Sequence, residues 1–112
     1  TATACLNLAV ETMKEEYGWS DGDEIISTPL TFVATNNCIL FAKLTPVFAD
    51  VDDSLCLSPE SVEAHITPKT RAVIFVGLGG NTGHYKEIVS ICRPIWQGPD
   101  WTVRMWERRR MQ

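Results

Sequence analysis

Arg71-Ala72-Val73-Ile74-Phe75-Val76 leads straight into Gly77-Leu78-Gly79-Gly80-Asn81-Thr82-Gly83. From Ala72 to Val76 no polar side chain interrupts the run, which predicts a strand buried on both faces, as in a parallel sheet. The glycine-rich segment after it predicts a loop. His84–Arg93 predicts a helix with Ile88, Val89 and Cys92 turned inward. Upstream, the alternation repeats. Thr3–Tyr17 reads as an amphipathic helix with Leu6, Ala9, Val10, Met13 and Tyr17 on one face, opened by Thr1 or Thr3 and closed by Gly18. Asp21-Gly22-Asp23 is a turn, and Glu24–Ser27 is a short strand that Pro29 breaks. Phe32–Ala42 is a second helix offering Val33, Ile39 and Leu40 to a core, and Pro46–Ala49 is a strand. Ser58-Pro59-Glu60 starts a short helix to Ile66, with Ser58 as cap and Pro59 at the first position.

Helix and strand alternate throughout residues 1–93, which predicts an α/β fold with a mostly parallel sheet. Ligands of such sheets sit beyond the carboxyl ends of the strands. Three segments fall there: Thr28–Thr31, Asp50–Asp53 and Gly77–Gly83.

The 112 residues suffice for one small domain, and 45% apolar with 21% charged content is ordinary for a soluble protein. A net charge of -4 speaks against nucleic acid as a partner, while leaving room for a small anion in a local positive field. No run approaches the length of a membrane span, and no secretory signal is visible. Cys5, Cys38, Cys56 and Cys92 form no C-x-x-C pair, and His65 and His84 stand apart from them. The expectation is four reduced, mostly buried thiols in a cytoplasmic protein, without a zinc site.

Each candidate motif has a plain reading beside a functional one. Thr1-Ala2-Thr3-Ala4 opens a helix, where unpaired N–H groups and the helix dipole suit a phosphate; it also serves as a simple cap. Phe32, between a strand and a helix, is placed either to lie flat on a cofactor ring or to fill the core. Gly77–Gly83 is neither G-x-G-x-x-G nor a Walker loop, so a solvent-facing turn is the simpler reading. Asp50-Val51-Asp52-Asp53 reads as solvated carboxylates rather than a metal site. Lys14 and Lys86 read as solvated helix residues.

In order, the segments Thr1-Ala2-Thr3-Ala4, Gly22-Asp23-Glu24-Ile25-Ile26, Thr31-Phe32-Val33-Ala34-Thr35, Pro46-Val47-Phe48-Ala49-Asp50-Val51-Asp52 and Ile66-Thr67-Pro68-Lys69-Thr70-Arg71-Ala72-Val73-Ile74 resemble the DegT/StrS-type sugar aminotransferases. These are fold-type-I enzymes dependent on pyridoxal 5'-phosphate (PLP). The resemblance covers residues 1–93. It implies part of a three-layer α/β/α large domain. It also implies transfer of an amino group from a small-molecule donor to a keto-sugar or similar carbonyl, in a homodimeric parent. Thr3, with the backbone around Ala2 and Ala4, would hold the cofactor phosphate. Phe32 would stack on the pyridine ring, and the Gly77–Asn81 loop would lie nearby. The family's D-x-A-H-like aspartate and its Schiff-base lysine have no counterpart here, since Lys14, Lys43, Lys69 and Lys86 all lie outside the lysine context. The chain then reads as an N-terminal fragment, inactive as it stands. The other readings are a non-catalytic phosphate or PLP binding module and a non-functional remnant.

Residues 94–112 differ in character. They carry Trp96, Trp101 and Trp106 and the run Arg108-Arg109-Arg110, with 4 basic and 2 acidic side chains against 6 and 12 in residues 1–93. Pro94, Gly98 and Pro99 are poor strand material. A shifted reading frame is one account. Codons for Trp101–Glu107 read from their third base permit Asp-Cys-Ala-His-Val-Gly, and a different shift of Ile95–Asp100 permits the strand-like Tyr-Gly-Lys-Val-Leu-Ile. The other account is a genuine, divergent extension forming a basic aromatic surface element.

Overall fold

The sheet grows outward from the apolar run. In a computed structural model, which describes residues 1–92 and 102–106, β1 (Glu24–Ser27), β2 (Thr45–Phe48), β3 (Thr70–Gly77) and β4 (Thr102–Trp106) form one sheet in the order β2-β1-β3-β4. Every pairing is parallel, from Glu24 opposite Thr45 to Gly77 opposite Trp106. Pro46 lies in β2, an edge strand of this order, where a missing N–H is tolerated. The β4 pairing places a strand inside residues 94–112, where no strand pattern was expected. Any extended backbone can satisfy the hydrogen-bonding groups along β3, whatever its side-chain pattern. Pro94, Gly98, Pro99, Trp96, Trp101 and Arg108–Arg110 lie outside the described residues.

Side chains alternate along the strands and so build two cores. Ile25, Ala72, Ile74 and Val76 face α1 (Ala2–Tyr17) and α2 (Ala34–Phe41), joined by Leu6, Val10, Cys38 and Ile39. Ile26, Val73 and Phe75 face α3 (Pro59–His65) and α4 (Tyr85–Cys92), joined by Leu57, Val62 and Ile88. The result is helix, sheet, helix. Full burial of Phe75 alone is worth about 2–3 kcal/mol.

Of the two caps expected for α1, Thr1 is the one used, its Oγ1 accepting from Ala4 N at 3.2 Å. Other expectations need correction. The second helix begins at Ala34, so Phe32 and Val33 belong to the loop before it. Val33 and Leu40 are exposed because α2 packs through Ala34, Cys38 and Ile39 instead. Ser58 sits at the cap position of α3, but its hydroxyl makes no cap bond to the first turn. Lys14 is not solvated. Its ammonium bonds Asp21 and the Ala42 carbonyl, the latter at 2.7 Å, and fastens α1 to the end of α2. The cysteines behave as expected: all four are free, and all but Cys5 are buried.

Candidate functional site at the carboxyl edge of the sheet

The connections from β1 and β3 leave in opposite directions, β1 to β2 through α2 on one face and β3 to β4 through α4 on the other. The switch point between two such adjacent strands opens a crevice at their carboxyl ends. The loops bordering it are 28–33 and 77–84. α1 returns to the same edge. Its last turn is pinned by Lys14 beside Asp21 and Ala42, at the amino ends of the strands, so its first turn lies at the opposite, carboxyl end. A buried face through Leu6 and Val10 holds it along the sheet.

That first turn suits an anion. Ala4 N is taken by Thr1 Oγ1 and Cys5 N by Thr1 O at 3.0 Å, whereas the amides of Ala2 and Thr3 find no partner among the described residues. Thr1 through Cys5 are exposed, and the methyl side chains of Ala2 and Ala4 allow close approach to the backbone. Free N–H groups, a hydroxyl on Thr3 and the positive end of a 16-residue helix are the donor set a phosphate needs.

Phe32 stands at the same edge and is 69% exposed, so it is not a core residue. Its loop is held from beneath by polar ties. Thr28, only 2% exposed, accepts Leu30 N on Oγ1 at 3.1 Å. Ser27 Oγ donates to Asn36 Oδ1 at 2.5 Å, and Asn36 Nδ2 donates to the Thr28 carbonyl at 3.1 Å. The Thr31 and Thr35 hydroxyls meet at 2.9 Å. Ser27 and Thr35 are fully buried. This cluster escaped the sequence reading; its five hydroxyl or amide residues, Ser27, Thr28, Thr31, Thr35 and Asn36, within ten positions at a strand end were the available signal. No hydrogen bond or ring contact among the described residues joins Phe32 to Thr3. What they share is the edge.

The other two loops clasp each other on the α3–α4 side. Asn81 Nδ2 donates to Ser54 O at 2.9 Å, and His84 Nε2 lies 3.5 Å from Asp52 Oδ2. Hydrogen bonding from the Ser54 hydroxyl holds the Asp52 carboxyl below its ordinary range; partial burial opposes this, and the Ser54 amide and His84 assist. Leu78–Gly80 winds into a short 3-10 turn with no buried residue, and Gly79–Thr82 are exposed, so the glycine-rich segment faces solvent as expected. No metal-binding group of His, Cys, Asp and Glu occurs among the described residues. A shallow groove of about 380 Å³ between α3 and α4, bordered by Glu60, Glu63, Lys86 and Glu87, lies on the face away from α1.

The amino edge is built differently. Asp23, 6% exposed, accepts from Arg71 Nε at 2.9 Å and from Ser20 N at 2.9 Å. Lys14, Lys43 and Lys69 all lie along this edge, since the Lys43 and Lys69 carbonyls accept from Gly22 N and Glu24 N. Lys86 sits in the first turn of α4, bordering the groove.

The described residues thus form a doubly wound α/β layer with the start of α1 and the exposed Phe32 at its carboxyl edge. The chain belongs to the DegT/DnrJ/EryC1/StrS aminotransferase family, whose model matches residues 1–95. It is 48% identical over 79 residues to the L-glutamine:2-deoxy-scyllo-inosose aminotransferase of Streptomyces fradiae, covering 70% of this chain and 18% of that protein. Its structure is similar to the sugar aminotransferase CalS13 from Micromonospora echinospora, with a TM-score of 0.73 and 30% identity over 82% of this chain and 24% of that one. It is also similar to NtdA from Bacillus subtilis, solved with bound cofactor PMP, with a TM-score of 0.71 and 27% identity over 80% of this chain and 21% of that one. The chain thus spans about a fifth of the length of the curated relatives it matches. The family and the fold agree with the resemblance drawn from the sequence. Among the described residues no helix is long and apolar enough to cross a membrane.

Proposed function

We propose that residues 1–93 are the phosphate- and ring-binding part of a PLP-dependent large domain, serving amino transfer from a donor such as glutamate or glutamine to a keto-sugar or related carbonyl. The observation that carries this reading is the pairing of free Ala2 and Thr3 amides with an exposed Phe32 at one sheet edge. When bound, the cofactor supplies an electron sink that lets an amino group move between carbonyl carbons. The residues here bind and orient. The first turn of α1 neutralises the phosphate through N–H groups and the Thr3 hydroxyl. The ring of Phe32 covers one face of the pyridine and keeps water from it. None of the four lysines serves as the covalent attachment point: three line the amino edge and Lys86 borders the outer groove. The 112 residues alone therefore carry out no turnover, and the parent acts as a homodimer in the cytoplasm. The composition break at Arg93–Pro94 falls beside the end of the family match at residue 95, which supports a frame-shifted origin for residues 94–112. The nucleotide sequence around codons 90–112 tests that origin.

Incubation with PLP followed by borohydride should give no stoichiometric label at any single lysine. Label at one of Lys14, Lys43, Lys69 or Lys86, accompanied by turnover, overturns the reading. In titrations, Phe32→Ala should weaken pyridoxamine 5'-phosphate (PMP) much more than inorganic phosphate, since only the former has a ring to stack. Equal losses would show that Phe32 merely supports the fold.

A further inference from the structure

We propose that Asn36 is a positioning residue for Phe32, an assignment that rests on the reading of Phe32 as the ring-stacking group. Phe32 is 69% exposed, so burial does not fix its ring. Its loop departs from β1 at Ser27 and rejoins regular structure at α2, where the cap residue Val33 makes no side-chain bond to the first turn. Asn36 closes this gap. Its side chain reaches from the first turn of α2 to both residues at the strand end, accepting from Ser27 Oγ at 2.5 Å and donating to Thr28 O at 3.1 Å.

The chemistry of the partners fixes which way the amide faces. A carbonyl can only accept, so the NH₂ group must point to Thr28 O, leaving Oδ1 for the Ser27 hydroxyl. With Ser27 fully buried and Thr28 2% exposed, water does not easily replace these bonds. The same helix turn receives the loop backbone: Thr35 N donates to Phe32 O at 3.1 Å, and Asn36 N and Asn37 N donate to Val33 O. Asn36 thus ties both ends of the loop into one frame. The exposed ring is presented in a settled position, and its ordering need not be met again when a ligand arrives.

The test uses the full 112-residue chain and PMP, which carries ring and phosphate without a reactive aldehyde. Stacking on Phe32 moves the pyridine proton resonance upfield. Asn36→Ala should roughly halve that movement at saturation and weaken PMP by about threefold or more, with inorganic phosphate unaffected. In a Phe32→Ala background the same change should have no further effect. An unchanged shift at saturation, or an equal loss of inorganic phosphate, overturns the proposal, because a purely structural role alters the folded fraction and not the bound-state signal. Amide exchange provides an independent arm. Asn36→Ala should speed exchange at Thr35, Asn36 and Asn37 by about tenfold while Ile74 and Phe75 stay protected. Unaltered exchange at those three amides also overturns it. Failure of the stacking reading itself is distinct: a Phe32→Ala chain would keep the full PMP shift. Should Asn36→Ala fold poorly, Ser27→Ala removes one of the two ties and should produce smaller changes of the same kind.

Discussion

Gly83 shows how a single position can govern a loop. Its φ is +47°, and a Cβ there would come within 2.8 Å of Cys56 Cβ and 2.9 Å of Ser54 Oγ. Gly83→Ala should therefore destabilise the chain by about 1–3 kcal/mol, read as a lower urea midpoint with unchanged slope, by forcing the clasped loops apart. Thr3 should behave oppositely. It is exposed, so Thr3→Val should leave stability alone and weaken phosphate and PMP alike by about 1 kcal/mol in calorimetric titration. Equal affinity in both proteins would remove Thr3 from the site. Legibility at this scale was mixed. Motif order singled out Thr3 and Phe32, and both stand at the carboxyl edge, but whether Phe32 faced core or solvent was not readable. That choice depends on the helix starting two residues later, at Ala34. The Ser27–Asn36 tie was hidden because hydroxyl and amide residues near a turn are common and only folding pairs them.

Among the elements, the strand starts are fixed by Asp23 and Arg71. Burial works to raise the Asp23 carboxyl, but the Ser20 amide and the Arg71 guanidinium outweigh it, and the group ends below its ordinary range. A carboxylate whose folded pKa is depressed stabilises fully above its unfolded value. That contribution should be complete above about pH 4 and drain away as the pH falls. Asp23→Asn should flatten this acid limb of a stability profile, and a profile unchanged by the substitution would contradict the assignment. Strands β1, β2 and β3 were legible to within a residue or so, since apolar runs bounded by glycine and proline leave little choice. The helix faces were less so. Leu40 looked available to a core, yet α2 turns Cys38 and Ile39 inward and leaves Leu40 and Phe41 outside. Periodicity over eight residues does not determine which side of a short helix meets the sheet.

For the molecule as a whole, β3 is the spine, flanked by β1 on one side and β4 on the other. Ending the chain at Arg93 would strip β4 away and open the edge of its most apolar strand. Such a chain should self-associate in light scattering at concentrations where the full chain stays monodisperse. A monodisperse shortened chain would mean that the β4 pairing contributes little. The overall α/β plan was legible because alternation and an unbroken apolar run suffice to specify it. The β4 pairing was not, because backbone pairing along an open edge leaves no mark in side-chain pattern.

Parallel strands give this molecule a front and a back. The back holds Lys14 with Asp21, Arg71 with Asp23 and Thr67 with Glu24, all joining neighbouring elements. The front holds the turn of α1, the Phe32 loop and the clasped loops. Changes at the back should be felt as lost solubility and yield, whereas those around Thr3 and Phe32 should be silent in such screens and visible only when a ligand is offered. A library randomised at the exposed positions Thr3 and Phe32 alone could thus be sorted for new anion or ring preferences without first being rescued for folding.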